Sequence, residues 1–368
     1  MVNQSTSVAD PLVKGLLQKI DTVRKTKPSD FVFLGTEVAL CQEYGISRMT
    51  VRRALDDLVS QGLIVRRRAK GIFLPPPSSI QRVIKFVVPN LLHEHCVQFL
   101  KGIQSAIEDR NYTVQVHDAN GDFEHAIELI DKLPRSPESG AIIISIHHPK
   151  FIQRLIALRE SGYPFVILGN LHNVIDAPMV RSSHYECGYQ MAKDLLAKGH
   201  RRFGHIAQFN SRANARLWEG LHTALNDVGI ALPYSYRVGI SEEIDPLSDW
   251  TPAIHEATQK LMELQEPPTA ILYHDDRAAL IAYKWFRSQG YRLPEDISVI
   301  GVGDSEMGHY AYPELASIRQ PRFDAGIEAV NMLDYIIEHP NSNPGQKTLQ
   351  ADWICRESVA EARAFVGK

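Results

Sequence analysis

Apolar residues first recur at helical spacing at Leu12, Leu16, Ile20 and Val23, which predicts one amphipathic helix over residues 11–25. A loop around Lys27, Pro28, Ser29 and Asp30 follows. Thr36 then caps a short helix with Glu37 in its first turn, and the helix ends at Tyr44-Gly45, where glycine can take the left-handed conformation of a tight turn. Ser47 caps a second helix whose inner face is Val51, Leu55 and Leu58, and Gln61-Gly62 stops it. Two extended stretches, 63–68 and 72–74, meet through Ala69-Lys70-Gly71 and predict a hairpin with a basic tip.

Pro75-Pro76-Pro77-Ser78-Ser79 can neither continue a strand nor enter a helix easily, so it predicts a stiff spacer. Beyond it the period changes. Short apolar runs at 83–90, 112–116, 141–145, 165–168, 203–206, 270–273 and 297–300 alternate with helical patterns at 97–109, 126–133, 151–161, 188–198, 218–228 and 277–289. Strands alternating with helices imply parallel sheets covered on both faces, an α/β body. Its roughly 285 residues are enough for two Rossmann-like lobes, with a ligand cleft expected at the carboxyl ends of the strands. The expected division is therefore a head at 1–74, a linker at 75–82 and a body at 83–368.

Composition narrows the class. A chain of 368 residues, 44% hydrophobic and 23% charged, is an ordinary globular protein with more than one core. No apolar run approaches the ~20 residues of a membrane helix, and MVNQSTSVADPLVKG lacks the pattern of a secretory signal, so the cytoplasm is the expected compartment. Cys41, Cys96, Cys187 and Cys355 have no metal-ribbon or disulfide spacing and are expected to be buried thiols. Charge is segregated: residues 1–75 carry 12 Lys and Arg against 7 Asp and Glu, a net +5, which leaves −8 for the rest of a chain of net charge −3. A basic head on an acidic body suggests a polyanion as partner of the head alone.

The head supplies the chemistry for that partner. A short helix, a turn of three residues and a second helix with an exposed basic start are helix-turn-helix features, and the hairpin is a wing. The stretch GTEVALCQEYGISRMTVRRALDDLVSQGLIVRRRAKGIFL resembles the GntR-family winged helix-turn-helix. The resemblance implies a homodimer on a near-palindromic, double-stranded operator, with Ser47, Arg48, Thr50 and Arg52 at the major groove and Lys70 and Gly71 at the wing tip; Thr36, Met49 and Arg53 are further expected DNA contacts. Gly35, Val38 and Ala69 depart from the family pattern, which usually has proline, a polar or basic residue and glycine there.

The body resembles the effector domain of LacI-family regulators, which is periplasmic-binding-protein-like. FLKGIQSAIEDRNYTV, GYQMAKDLLAKGHRRFGHI, AILYHDDRAALIAYKWFRSQGYRLPEDISVIGVGD and PELASIRQPRFDAGIEAVNML carry the resemblance. A GntR-type head on such a body is similar to the arabinose-responsive repressors. The resemblance implies crossings between lobes near Asn170, Pro321 and Gln350, giving lobe 1 about 83–170 with 322–349 and lobe 2 about 171–321 with 350–368. It also implies a small sugar or sugar-like effector between the lobes. Asn90, His95, Asn170, Ser183, His184, Arg216, Asp275, Asp276, Asp304, Gln320 and Arg322 are the expected effector contacts. Gly169, Leu217 and Gly303 stand where sugar-responsive relatives carry aspartate, arginine and aspartate, and Arg216 would take the arginine role if the alignment slips by one residue. The effector's identity stays open.

Other chemistry finds little support. His93-Glu94-His95-Cys96 is a weak metal signal without partners at known spacing, and Gly301-Val302-Gly303-Asp304 lacks the spacing of a dinucleotide loop, so no cofactor is expected. Neither a nucleophile elbow, a P-loop nor a zincin motif occurs, so an enzyme is not expected. A solute-binding transport component is the alternative binding module, opposed by the winged head. The tryptophans are expected in cores, with Trp250 the one possible ligand platform.

Overall fold

The computed structural model describes residues 10–24, 30–60, 63–67, 70–75, 82–133, 139–171, 174–208, 211–240, 249–340 and 342–362. Arg68 and Ala69 of the wing tip, Pro76 to Ser79 of the spacer and the helix stop Gln61-Gly62 lie outside these residues. The chain divides into two compact units, Met1–Ile84 with Asp109–Gln115 and Pro134–Gly140, and Lys85–Glu108 with Val116–Leu133 and Ala141–Lys368.

In the head, α1 (Asp10–Arg24), α2 (Glu37–Tyr44) and α3 (Arg48–Ser60) pack on a three-stranded sheet of order β1-β3-β2, formed by Val32–Gly35, Gly71–Leu74 and Val65–Arg67. Leu12, Leu16 and Ile20 meet Leu40, Val51, Leu55, Leu58, Ile64 and Leu74 in one buried core, as the helical periodicity requires. Thr36 caps α2 by accepting from the Ala39 amide at 3.2 Å, and Gly45 closes it at φ 64°. Ser47 caps α3 in the same way, accepting from the Thr50 amide at 3.2 Å. β1 has no signal in the sequence pattern, because four residues are too few to show a period. It is fixed by pairing with β3, Val32 opposite Leu74 and Phe33 opposite Phe73. Gly35 sits at φ 141°, which proline cannot adopt, so the departure from the family pattern matches the backbone.

The body holds two six-stranded sheets. The first has the order β14-β8-β7-β6-β4-β5, formed by Gln346–Leu349, Met179–Ser182, Phe165–Leu168, Ser139–Ile144, Arg82–Val88 and Tyr112–Asp118. Its helices are α4 (Glu94–Ile107), α5 (Phe123–Asp131), α6 (Pro149–Glu160) and α12 (Arg322–Glu338). The second has the order β10-β9-β11-β12-β13-β15, formed by Arg237–Ile240, Phe203–Gln208, Ala270–Tyr273, Ser298–Val302, Ala316–Arg319 and Asp352–Ile354. α7 (His184–Ala197) and α8 (Arg212–Asn226) supply the core on one face, α9 (Thr251–Met262) and α10 (Asp276–Ser288) that on the other, and α11 (Glu306–His309) follows β12. β7 and β12 are buried throughout, as a doubly covered parallel strand must be.

Each lobe contains one close helix crossing. A Cβ on Gly102 of α4 would lie 2.0 Å from the Phe323 carbonyl oxygen, and one on Gly326 of α12 would lie 2.4 Å from that of Phe99. In the second lobe Gly220 of α8 would meet the Tyr185 carbonyl at 2.0 Å and Gly188 of α7 that of Leu217 at 2.2 Å.

Two expectations are corrected. The crossing expected near Asn170 falls after Ser182 instead, because β8 pairs with β7 and β14 and so keeps the chain in the first sheet. The expectation of four buried thiols holds for Cys96 and Cys187, whereas Cys41 is half-buried and Cys355 exposed. Among the described residues no helix is long and apolar enough to cross a membrane.

Candidate functional site

The start of α3 presents a cationic surface held by one acid. Arg48 and Arg52, with side chains 67% and 57% exposed, place their Nε atoms 3.5 and 3.4 Å from Glu37 Oε2. Arg66 of β2 approaches the same carboxylate at 3.9 Å, donates to Asp56 at 2.6 Å and donates to the Arg52 carbonyl at 2.9 Å. Met49 is 78% exposed, and Arg53, Thr50 and Lys70 also reach solvent. Gly71, at φ 109°, cannot carry a side chain, since a Cβ there would lie 2.7 Å from the Gly35 carbonyl oxygen. Thr36 and Ser47 spend their hydroxyls as caps and so fix the starts of α2 and α3.

The three crossings between lobes are joined by side chains. The Ser183 amide donates to the Leu349 carbonyl at 2.9 Å, and Ser183 Oγ accepts from the Ala351 amide at 2.9 Å, which ties the first crossing to the third. The second joins through His184, whose Nε2 lies 2.8 Å from Gln320 Nε2, while its Nδ1 lies 3.0 Å from the Ser182 carbonyl. Gln320 Oε1 accepts from Arg322 Nε at 3.0 Å. The amide is thereby oriented: its NH2 faces His184 Nε2, and the imidazole proton sits on Nδ1. Burial, aided by Arg322, Arg216 and Arg181, lowers His184 to about 4, so the ring is neutral at pH 7.

Arg322 opens α12 with its guanidinium beside a group of acids. Burial pushes it down, against the charges of Asp276, Glu94 and Asp275. Burial likewise raises Glu94 and Asp276, and it lowers His95 with help from Arg322 and His93, whose ring stacks on His95 at 5.0 Å. Asp276 is also structural, accepting from Ser317 Oγ and the Ser305 amide, each at 2.6 Å. Asp275 caps α10 through the Ala278 amide at 2.7 Å. Asn90 lies buried after β4 and accepts from the Leu92 amide at 2.9 Å.

Not every expected residue joins this group. Asp304, at φ 53°, is held in an ion cluster with Arg319 at 2.5 Å, Arg356 and His309, and the hydrogen bonds from both arginines outweigh burial to lower its carboxyl. Arg216 is paired with Glu219 on its own helix and lies over the Tyr185 ring at 4.8 Å, while Leu217 is fully buried in the core. Asn170 is half-buried after Gly169 and makes none of these hydrogen bonds. A Cβ at Gly169 would stand 2.0 Å from Ser145 Oγ, so the family aspartate would have to turn the Ser145 hydroxyl aside and hold φ 138°, a conformation L side chains rarely adopt. A Cβ on Gly303, φ 135°, would have side-chain atoms of Arg322 and Asp276 nearest to it, each 3.7 Å away.

Three polar groups near this cleft carried no signal strong enough to single them out. His205 of β9, Asn214 of α8 and His274 after β11 are buried, yet both ring nitrogens of each histidine and the Asn214 Oδ1 lack hydrogen-bond partners. A histidine at an inward position of an apolar strand was the available clue. Among the described residues no group of three or more His, Cys, Asp or Glu is arranged to hold a metal ion.

Comparison with known proteins follows the same division. Residues 34–74 match the model of bacterial regulatory proteins of the gntR family, and residues 192–359 match a periplasmic binding protein-like domain. The arabinose metabolism transcriptional repressor of Halalkalibacterium halodurans is 24% identical over 91% of this chain and 92% of its own length. The HTH-type transcriptional repressor CytR of Escherichia coli is 26% identical over 85% and 93%. Among solved structures, a transcriptional regulator CelR–cellobiose complex superposes with a TM-score of 0.67 at 22% identity, covering 85% of this chain and 92% of that one. The chain is thus a DNA-binding transcriptional regulator that joins a gntR-family winged head to a LacI-like, periplasmic-binding-protein-like body.

Proposed function

We propose that the chain is an operator-binding repressor whose DNA affinity is set by a small sugar-like metabolite bound in the cleft of the body, with Arg322, Asp275, Asp276, Glu94, His95 and Asn90 as its lining. The supporting observation is the hinge itself: three crossings stitched by Ser183, His184 and Gln320 and continued by Arg322 into the cleft. A ligand touching Arg322 therefore acts on the hydrogen bonds that set the angle between lobes. In this reading the lobe boundaries are 183, 320 and 350, the head works as one half of a homodimer in the cytoplasm, and the chain carries no catalysis. Differential affinity for two lobe arrangements is what lets an effector change DNA binding, and coupling of ~1–3 kcal/mol would alter operator affinity about 5- to 150-fold.

The test is to select an operator from random duplexes and measure its affinity by fluorescence anisotropy with and without pentoses, hexoses, disaccharides and nucleosides. One class should change operator affinity at least about 5-fold. Operator binding that none of them alters would overturn effector control.

A further inference from the structure

The second lobe contains a set of buried polar groups whose hydrogen-bonding capacity is unspent. His205 is 0% exposed and His274 and Asn214 are each 6% exposed. The two imidazoles lie near each other: His205 pairs with Leu272 of the adjacent β11, and His274 directly follows that strand, close enough to act on the His205 ring. Asn214 enters from the first turn of α8. Its Nδ2 donates to Ser211 Oγ at 2.8 Å, which identifies the free atom as the carbonyl oxygen. That oxygen approaches the His205 ring without reaching full hydrogen-bond geometry.

Buried polar groups are nearly always satisfied, and several left without partners in one place call for a ligand or ordered water. The surroundings favour a ring. Trp218 stacks on His205 at 5.3 Å and 17°, and Trp250 lies 5.3 Å from His274. The set adjoins the cleft through Asp275, whose Oδ2 is 3.6 Å from His274 Nε2, beyond hydrogen-bond reach. Burial keeps both rings neutral, with His205 lowered to about 3. Two neutral imidazoles and one amide oxygen offer two donors and three acceptors, a mixture that suits adjacent hydroxyls or a cyclic amide. None of the three groups carries a charge to meet a phosphate or carboxylate; Arg277 lies over the Trp250 ring at 4.6 Å, and the acids around Arg322 oppose an anion there.

Building on the effector reading above, we infer that His205, Asn214 and His274 form the second-lobe wall of the effector site and hydrogen-bond the hydroxyl- or amide-bearing ring of an uncharged effector.

The experiment uses the full chain and three single variants, His205→Leu, His274→Leu and Asn214→Ala, so that one failing to fold leaves two. Probes are neutral pentoses, hexoses and ribonucleosides and their phosphate esters, read by melting temperature and calorimetric affinity. The wild type should be stabilised by a neutral ring and not by its phosphate ester; a sugar or a nucleoside hit identifies the source of the ring. The leucine variants should melt no lower than the wild type without ligand, since an apolar side chain removes an unsatisfied group, and should bind the ring at least ~10-fold more weakly. Variants that bind like the wild type overturn the assignment and leave water as the occupant. A phosphate ester preferred over its parent overturns the uncharged class. If no probe stabilises the wild type or alters its operator complex, effector control itself fails, and this assignment fails with it.

Discussion

Gln320 Nε2 donates to His184 Nε2 at 2.8 Å, joining the strand that leaves the second sheet to the helix that follows the first. The bond needs an unprotonated Nε2, and the Gln320 amide cannot turn to meet a protonated ring without releasing Arg322 from its oxygen at 3.0 Å. The hinge is thus built on the neutral form of one histidine.

Acid should weaken it in a defined window. His184 is lowered by burial from an ordinary 6.5 to about 4. Between those values the unfolded chain binds a proton that the native chain does not. This contribution is complete above pH 6.5 and declines as pH falls toward about 4, at ~1.4 kcal/mol per unit for one imidazole. Urea unfolding of the wild type and His184→Asn across that range should give curves that converge on acidification. Parallel curves would show that His184 is protonated in the native chain.

Arg48→Ala should weaken operator binding while leaving effector affinity intact, because Arg48 projects from the start of α3 and its ion-pair partner among the described residues is Glu37. Removing a guanidinium that meets a base or a phosphate costs ~1–3 kcal/mol, or about 5- to 150-fold in affinity. Anisotropy titration measures it, and an unchanged dissociation constant would move α3 off the DNA.

Glu37 sets the opposite expectation. Its carboxylate lies within 4 Å of Arg48, Arg52 and Arg66, so it both orients and neutralises them before DNA arrives. Glu37→Gln should raise affinity for random duplex and lower the ratio of operator to random binding, since phosphates would compete with no acid while the guanidiniums lose their alignment. Loss of both kinds of binding together would instead mark Glu37 as a folding residue.

Much of this was legible in the sequence, for physical reasons that also set its limits. The caps at Thr36 and Ser47, the stop at Gly45 and the inner face of Val51, Leu55 and Leu58 are local, and each was readable from neighbours in the chain. The sheets were legible as apolar runs, but the late strands Gln346–Leu349 and Asp352–Ile354 are short and partly exposed, and only partners far along the chain define them. The same cause misplaced the first crossing, since Met179–Ser182 belongs to a lobe by virtue of pairing with β7. Asp304 illustrates the limit for the site: its residue type suits a sugar hydroxyl, but Arg319 and Arg356, neither of them adjacent, hold its carboxylate elsewhere.

Packing at the α4–α12 crossing gives a stability test independent of any ligand. Gly102 faces the Phe323 carbonyl so closely that a Cβ would stand 2.0 Å from it, and the obstacle is backbone rather than the end of a flexible side chain. The crossing cannot simply open, because Gly326 of α12 is itself packed against Phe99 and Ile103 of α4. Gly102→Ala should therefore cost the ~1–3 kcal/mol typical of overpacking, despite alanine's higher helix propensity, and lower the melting temperature of the body. Gly162→Ala supplies the contrast: it has open space but φ 74°, so its cost comes from backbone strain of ~1–2 kcal/mol and should not depend on α12 at all. Enlarging each to serine should cost more again at Gly102, where backbone blocks the side chain, and little more than alanine at Gly162, where the space is open. Equal responses would mean that the close approach of α4 and α12 is not what the glycine serves.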